Sequence, residues 1–586
     1  MYLRTTRVKR PDGSVDEYIR LVESYWNNGS PRHRVISHLG RKELLAPHAE
    51  ALLKILKGET TPTPNRDAVA VGAWDWGVML VARHLWRELG LEAIVDALAP
   101  SSGAGQELAD RTLALVSNRL CEPTSEHGMA RWLETDFVCD RWGQRWLPEW
   151  REEAERRASK RPRVRVKDQQ LRQWYGTLDQ LVAHQKQIEK ELFLRLRNLF
   201  SLRVDLVFYD LTSTYFEGNG PAGVALHGHS RDEKPRNRQI LVGLVMIDGW
   251  PIAQHVFPGN RRDAKTVESV LYDLQARFGL RRIVFVGDRG MVTSENVGLL
   301  RARTQGYLVG LNRRRRPEVL RYVERATGPW LECPAGISAR EKSEVPRTQV
   351  QEVESEQPGV RVFVVQSDER LAYERGQREK SMQRVREALE GLEQRVRKGK
   401  LKAPEKIGAA ASRVLGRHHG GRYYDWKLQD GQFQFFEHPK NLPPEKALEG
   451  KYVLQTEEPH LSALEAVEVY KDLSEVERAF SGLKDVLEMR PLYHQTANRV
   501  QAHLFLASLA FLLDRALEKK LKSAGLDFSS REAWQLLRTV RVVEIDWSDG
   551  QHRQSVTQGS GRAAMVLRAL GIKELDPGPG RQNRVA

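Results

Sequence analysis

Two stretches of this chain end a hydrophobic run in an aspartate: Val204-Asp205-Leu206-Val207-Phe208-Tyr209-Asp210, and Ile283-Val284-Phe285-Val286-Gly287-Asp288. A carboxylate at the end of a buried strand is costly to desolvate unless something charged meets it there. Two of them in one small unit suggest a shared divalent cation, and with it metal-dependent phosphoryl-transfer chemistry. Such a site normally takes a third acid from a helix, and the candidate lies within Tyr470–Lys484. There Val476, Phe480 and Leu483 make an apolar stripe at i, i+4 and i+7. Tyr470, Glu477 and Lys484 recur every seven residues and so share a neighbouring face. Taken by itself that face also fits a solvated, salt-bridged helix.

The elements that must hold these acids are legible around them. A strand up to Asp210 is followed by a polar loop, a second strand over Gln239–Ile247, the turn Asp248-Gly249, and a third strand over Ile252–Phe257. Asp263–Phe278 has the period of an amphipathic helix ending at Gly279, and a fourth strand runs to Asp288. The expected fold is α/β, an RNase H-like mixed sheet flanked by helices, which brings its first and fourth strands side by side. Side chains alternate along a strand, so Leu206, Phe208 and Asp210 share one face.

Around this core the chain divides at changes of period and composition. Residues 1–65 form a small α/β segment ending in the linker-like Thr60-Thr61-Pro62-Thr63-Pro64. Residues 66–200 are expected to be helical, with a basic stretch from Arg151 to Lys167 that fits either a solvated charged connector or a DNA-contacting surface. Residues 201–312 make the first part of the catalytic core. Residues 313–455 form a β-rich insertion domain that opens with Arg313-Arg314-Arg315-Arg316 and holds a charged helix over about 368–400. Residues 456–550 return as a helical second part, with helix expected from Ser462 through Lys519. Residues 551–586 form a tail whose Asp576-Pro577-Gly578-Pro579-Gly580 is expected to be disordered.

Composition agrees with a nucleic-acid partner. The 586 residues carry a formal net charge of +16 and a pI near 9.6, a bias that favours a polyanion. The three cysteines are far apart, which disfavours a disulfide framework or a structural zinc site. The start of the chain shows no signal-peptide core, and the longest apolar run, Leu504–Leu513, is short for a membrane span and reads as a buried helix. No membrane is expected, and the absence of Walker and Gly-x-Gly-x-x-Gly signatures implies no nucleotide cofactor.

Four motifs then resemble one family, the bacterial insertion-sequence transposases of the DDE, RNase H-like class, in the branch with a β-rich insertion before the last acid. They are Tyr209-Asp210-Leu211-Thr212-Ser213-Thr214-Tyr215-Phe216-Glu217-Gly218, Val256-Phe257-Pro258-Gly259-Asn260, Gly287-Asp288-Arg289-Gly290-Met291, and the 470–484 segment. On that last segment the branch carries Tyr-x2-Arg-x3-Glu-x6-Lys; Tyr470, Glu477 and Lys484 fit it, and Leu473 stands where the arginine is expected. Tyr18–Ser24 and Arg490-Pro491-Leu492-Tyr493-His494 extend the resemblance over most of the chain. The resemblance implies Asp210, Asp288 and Glu477 as a catalytic and metal-binding triad for two Mg²⁺, with Mn²⁺ as a substitute. It implies DNA contacts from Tyr470 and Lys484. The substrate would be double-stranded DNA, both the terminal inverted repeats and the target, cut and joined by a homodimer on DNA in the bacterial cytoplasm, associated with the nucleoid.

Arg289, beside the second acid, and Arg313–Arg316, four consecutive guanidinium groups, are further candidate DNA contacts. Other acids and ligands fit less well. Glu475 points about 200° away from Glu477 around the helix, and Asp205 lies on the opposite strand face from Phe208. Glu217 follows the first motif without matching it, and His227 and His229 read as loop residues. The aromatics Trp426, Phe433, Phe435, Phe436 and Tyr452 read as the core of a small sheet. Two other functions remain open at this point: a structure-selective nuclease of the same fold, and a non-catalytic DNA-binding derivative.

Overall fold

The computed structural model describes residues 2–9, 15–27, 30–46, 49, 68–98, 104–147, 167–200, 206–280, 283–287, 293–304, 306–311, 317–334, 346–417, 419–486, 489–547 and 552–578. The basic stretch 151–166, Asp205, Asp288, Arg289 and Arg313–Arg316 lie outside the described residues. Two compact units emerge, one of residues 1–73 with 542–555 and one of residues 74–541 with 556–586.

The smaller unit is β-rich. Strands β1 (Tyr2–Lys9), β2 (Val15–Asn27) and β3 (Ser30–Arg41) form an antiparallel meander. A second three-stranded sheet has the order β17-β16-β4, from His552–Val556, Arg541–Trp547 and Ala68–Asp75.

The larger unit is organised by one sheet. Its strands β5 (Leu206–Tyr215), β6 (Gln239–Ile247), β7 (Trp250–Pro258), β8 (Val284–Gly287) and β9 (Gly306–Gly310) stand in the order β9-β8-β5-β6-β7. β5, β6 and β7 are antiparallel neighbours, whereas β5, β8 and β9 run parallel. That order and those directions are the RNase H-like arrangement, with the first and fourth strands adjacent. The β6–β7 turn has positive φ at both Asp248 and Gly249, the conformation a tight hairpin demands. The helix Val267–Phe278 ends at Gly279, which adopts φ 68° and closes it as a left-handed cap.

The insertion does not stand apart from this sheet. Strands β10 (Leu331–Glu332), β11 (Thr348–Val353), β12 (Arg361–Ser367) and β15 (Lys451–Thr456) continue it to nine strands, with β15 antiparallel to β9. Only the helices Asp368–Arg397 and Pro404–Arg417 and the hairpin β13 (Tyr424–Gln429) with β14 (Gln432–Glu437) make a separate core. Trp426, Phe433 and Phe435 pack into that core, while Phe436 is exposed.

Several expectations need correction. β4 (Ala68–Asp75) and β16 (Arg541–Trp547) are strands within stretches expected to be helical, and β5 runs past Asp210, where the first strand was expected to end. Helix is not continuous over 462–519: Ala463–Ser481 passes into a π-turn over Gly482–Val486, and a new helix starts at Ala497. Pro491 lacks an N–H and disfavours helix at Arg490 before it, which breaks the run. Nor is the end of the chain wholly a tail. Beyond β17 it forms the helix Gly561–Ala569, and the Trp76 indole N–H donates to the Leu575 carbonyl at 2.7 Å.

The helical region before β5 is tied to the core by buried charge. Glu189, on the long helix Lys167–Phe200, pairs with Arg277 on Val267–Phe278, and Arg277 also holds Asp273. The Glu189 and Arg277 side chains are 5% and 9% exposed, so neither can turn to water. Arg277→Ala leaves a buried carboxylate without its cation and should lower stability by about 3–5 kcal/mol, read as a lower urea midpoint.

Candidate active site

The site is built on the parallel ladder between β5 and β8. Its register runs Leu206–Val284, Val207–Phe285, Phe208–Val286 and Tyr209–Gly287. The next residues in sequence are Asp210 and Asp288, so the two acids follow the last rung of the same ladder. β5 goes on past Asp210 to Tyr215, because Leu211–Tyr215 keep pairing with β6 after β8 has ended. Asp210 is half-buried between Tyr209 and Leu211, which are buried. A carboxylate open to solvent between buried neighbours, at the rim of a sheet, suits a hard cation with oxygen ligands.

The two faces of β5 have different tasks. Tyr209 points away from the Asp210 face. Its hydroxyl donates to Thr266 Oγ1 at 3.0 Å, and burial holds that hydroxyl protonated well above the usual tyrosine range. Leu206 and Phe208, on the Asp210 face, line a cavity of about 230 Å³ together with Asp472 and Val476. The helix Ala463–Ser481 therefore lies over β5 and β8 on the face that carries Asp210. Val476 and Phe480 are buried on it, as their spacing predicts, and Leu483 is buried in the turn that follows over Gly482–Val486. Glu477 is the next residue after Val476 on this helix.

The remaining residues of the signature have definite places. Leu473 is 3% exposed, so the position where the branch carries arginine is core here, and leucine fills it. Tyr470 stacks on Tyr452 of β15, with ring centroids 5.8 Å apart. Lys484 lies in the π-turn rather than on the α-helical face, and its ammonium contacts Asp232 at 2.7 Å. Burial draws the Lys484 ammonium below its usual range, against the pull of Asp232. Arg490 reaches the same Asp232 oxygen at 2.6 Å. The structure brings Leu492 beside the end of β5, where its N–H donates to the Tyr215 carbonyl and its own carbonyl accepts from Glu217 N–H. Glu217, His227 and His229 are exposed.

Sequence reasoning missed Asp232 and Arg490. Asp232 sits in a polar loop with no recurring spacing, and only the fold brings it to Lys484. It also missed Glu126, His494 and His503, whose donor atoms lie within 4.8 Å of one another. That cluster has metal-ligand chemistry, but the Arg119 guanidinium lies 3.2 Å from His503 Nδ1. Arginine only donates, so Nδ1 must accept and the ring proton belongs on Nε2, which leaves that ring no lone pair for a cation. It is best described as a buried polar contact between the 119–126 segment and the helix Ala497–Ser523. That helix is long and apolar enough to cross a membrane, yet most of it is buried inside the fold.

An RNase H-like sheet whose first and fourth strands each carry an acid one residue past their last shared rung in sequence, with an acid-bearing helix packed over them, is the arrangement of the DDE class of polynucleotidyl transferases. The transposase DDE domain model matches residues 205–513, and the model of the IS1634 family transposase N-terminal domain matches residues 3–65. The chain belongs to the insertion-sequence DDE transposases, a family whose activity is transposition and which uses divalent metal. No curated protein matches it. Among solved structures, a piggyBac transposase synaptic complex with hairpin DNA matches with 9% identity over 79% of each chain. Its TM-score is 0.33, too low to carry any argument.

Gly243 of β6 faces Tyr209, and a Cβ there would sit 2.8 Å from the phenol ring. The ring is fully buried and cannot swing aside. Gly243→Ala should therefore cost about 1–3 kcal/mol of stability by displacing the strand next to Asp210, read as a lower midpoint of thermal unfolding.

Proposed function

We propose that this chain binds the ends of its own element as a homodimer, cuts the DNA there, and joins the freed end to target DNA by a cut-and-paste route. The observation that carries this reading is the β5–β8 register, which ends one residue short of both Asp210 and Asp288. The helix packed over these strands bears Glu477 next to Val476. Asp210, Asp288 and Glu477 would hold two Mg²⁺, or Mn²⁺ in their place. When bound, the ions would activate the attacking hydroxyl and stabilise the leaving 3′ oxygen.

The chain's own residues have the complementary task of orienting DNA. Water attacks at the element's end, and the released 3′-hydroxyl then attacks a target phosphodiester by the same in-line displacement. Tyr470, Lys484, Arg289 and Arg313–Arg316 are assigned as contacts to the DNA backbone, and residues 66–200 to end recognition. The net charge of +16 supports long-range attraction of both DNA substrates. The setting is the bacterial cytoplasm.

Asp210→Ala, Asp288→Ala and Glu477→Ala should each abolish cleavage and leave DNA binding largely intact. The assay uses duplexes carrying the terminal repeats that flank the gene, with Mg²⁺ or with EDTA. Metal-dependent cutting followed by joined products, lost in all three variants, is the expected result. Cutting without joining would instead make the protein a nuclease, and binding without cutting would make it a DNA-binding derivative. Retained cleavage in any one variant removes that acid from the assignment.

A further inference from the structure

We propose that Lys484 and Arg490 form a fork for one backbone phosphate of bound DNA, and that Asp232 fills this fork while DNA is absent. The proposal rests on the transposase reading and adds to it a binding residue, Arg490, and an internal occupant. Both cations converge on a single oxygen, Asp232 Oδ1, at 2.7 and 2.6 Å. The other oxygen, Oδ2, is buried without a hydrogen-bond partner among the described residues. Two donors on one oxygen and none on its twin is a poor match for a carboxylate, since a buried acceptor left unmade is costly. A phosphodiester carries the same single charge, and its non-bridging oxygens can take the fork while the rest of the group stays in water.

Position and access agree with this. Asp232 and Lys484 side chains are 2% and 10% exposed, but Arg490 is 28% exposed, so the fork opens to solvent on the arginine side. The segment carrying Asp232 is fixed to the catalytic strand, since Arg231 N–H donates to Ser213 Oγ at 2.9 Å. Ser213 is three residues beyond Asp210, about 10 Å along the strand. That is the span of about three stacked nucleotides, a suitable distance for a phosphate flanking the cut. Beside Asp232, Arg231, Lys234 and Arg236 are all exposed, so the loop that leaves the fork presents positive charge to the same DNA. Arg231 is meanwhile held by Asp263 at 2.6 Å.

A merely structural ion pair and a phosphate fork differ in what removal of Asp232 does to DNA binding. Fluorescence anisotropy with a labelled duplex carrying the flanking terminal repeat, and with a random-sequence duplex, is read across a potassium chloride series. Asp232→Asn, which keeps an oxygen for the two cations, should tighten binding several-fold. The slope of log affinity against log salt should stay as in the wild type, because the same phosphate is held in both complexes. Arg490→Gln leaves the Lys484–Asp232 pair to hold the fold and should make the slope shallower by about 1. Unchanged or weaker binding by Asp232→Asn, or an unchanged slope for Arg490→Gln, overturns the fork while the DNA reading stands. Wild-type protein that binds neither duplex overturns the DNA reading, and the fork with it.

Discussion

The parallel ladder between β5 and β8 joins two segments separated by a loop, a hairpin and a helix, and parallel strands cannot be joined by a tight turn. The connection has to cross the sheet, and the helix Val267–Phe278 makes that crossing on the face where Tyr209 meets Thr266. The opposite face is thereby left to the helix Ala463–Ser481, which arrives from far later in the chain. A slip of one residue in this ladder would turn Phe208 outward and send Asp210 to the Tyr209 side. The buried Tyr209–Thr266 bond and the close approach of Gly243 are what oppose such a slip.

Because that register is fixed by packing on both faces, the helix Ala463–Ser481 can be positioned by ordinary apolar contacts. Val476, Phe480 and Leu483 seat it, and the buried Leu473 adds to the same surface where a relative would carry arginine. At its end the backbone winds into a π-turn, which takes Lys484 off the regular helical face and toward Asp232. The loop between β5 and β6, the turn that ends the helix Ala463–Ser481 and the Arg490 segment are thus joined at one carboxylate.

Much of this was legible in the residues themselves. The strand-turn-strand pattern around Asp248-Gly249 and the helix closed by Gly279 follow from local period and turn chemistry, whereas the adjacency of the first and fourth strands was expected only from the RNase H-like order of the elements. The burial of Val476 and Phe480 on the helix Ala463–Ser481 followed from spacing alone. What could not be read were contacts made by the fold: a lone Asp232 in a polar loop carries no signal of the lysine it will meet. The insertion was read as a separate body because β-like segments reveal their strand character but not their partners. The π-turn escaped for a related reason, since a heptad count assumes an unbroken α-helix through Lys484. The helix Gly561–Ala569 lies in a stretch expected to be a tail, where the conspicuous glycines and prolines come only after it.

The continuation of the sheet into the insertion bears on how this architecture can vary. β9 is buried along its whole length and would be an outer strand if the sheet stopped at five. β15 covers it, pairing Leu454, Gln455 and Thr456 with Gly310, Val309 and Leu308. An open, apolar edge of that kind is a template for self-association. The insertion is therefore a seal as well as an addition, since β15 occupies an edge whose backbone groups would otherwise be open to another strand.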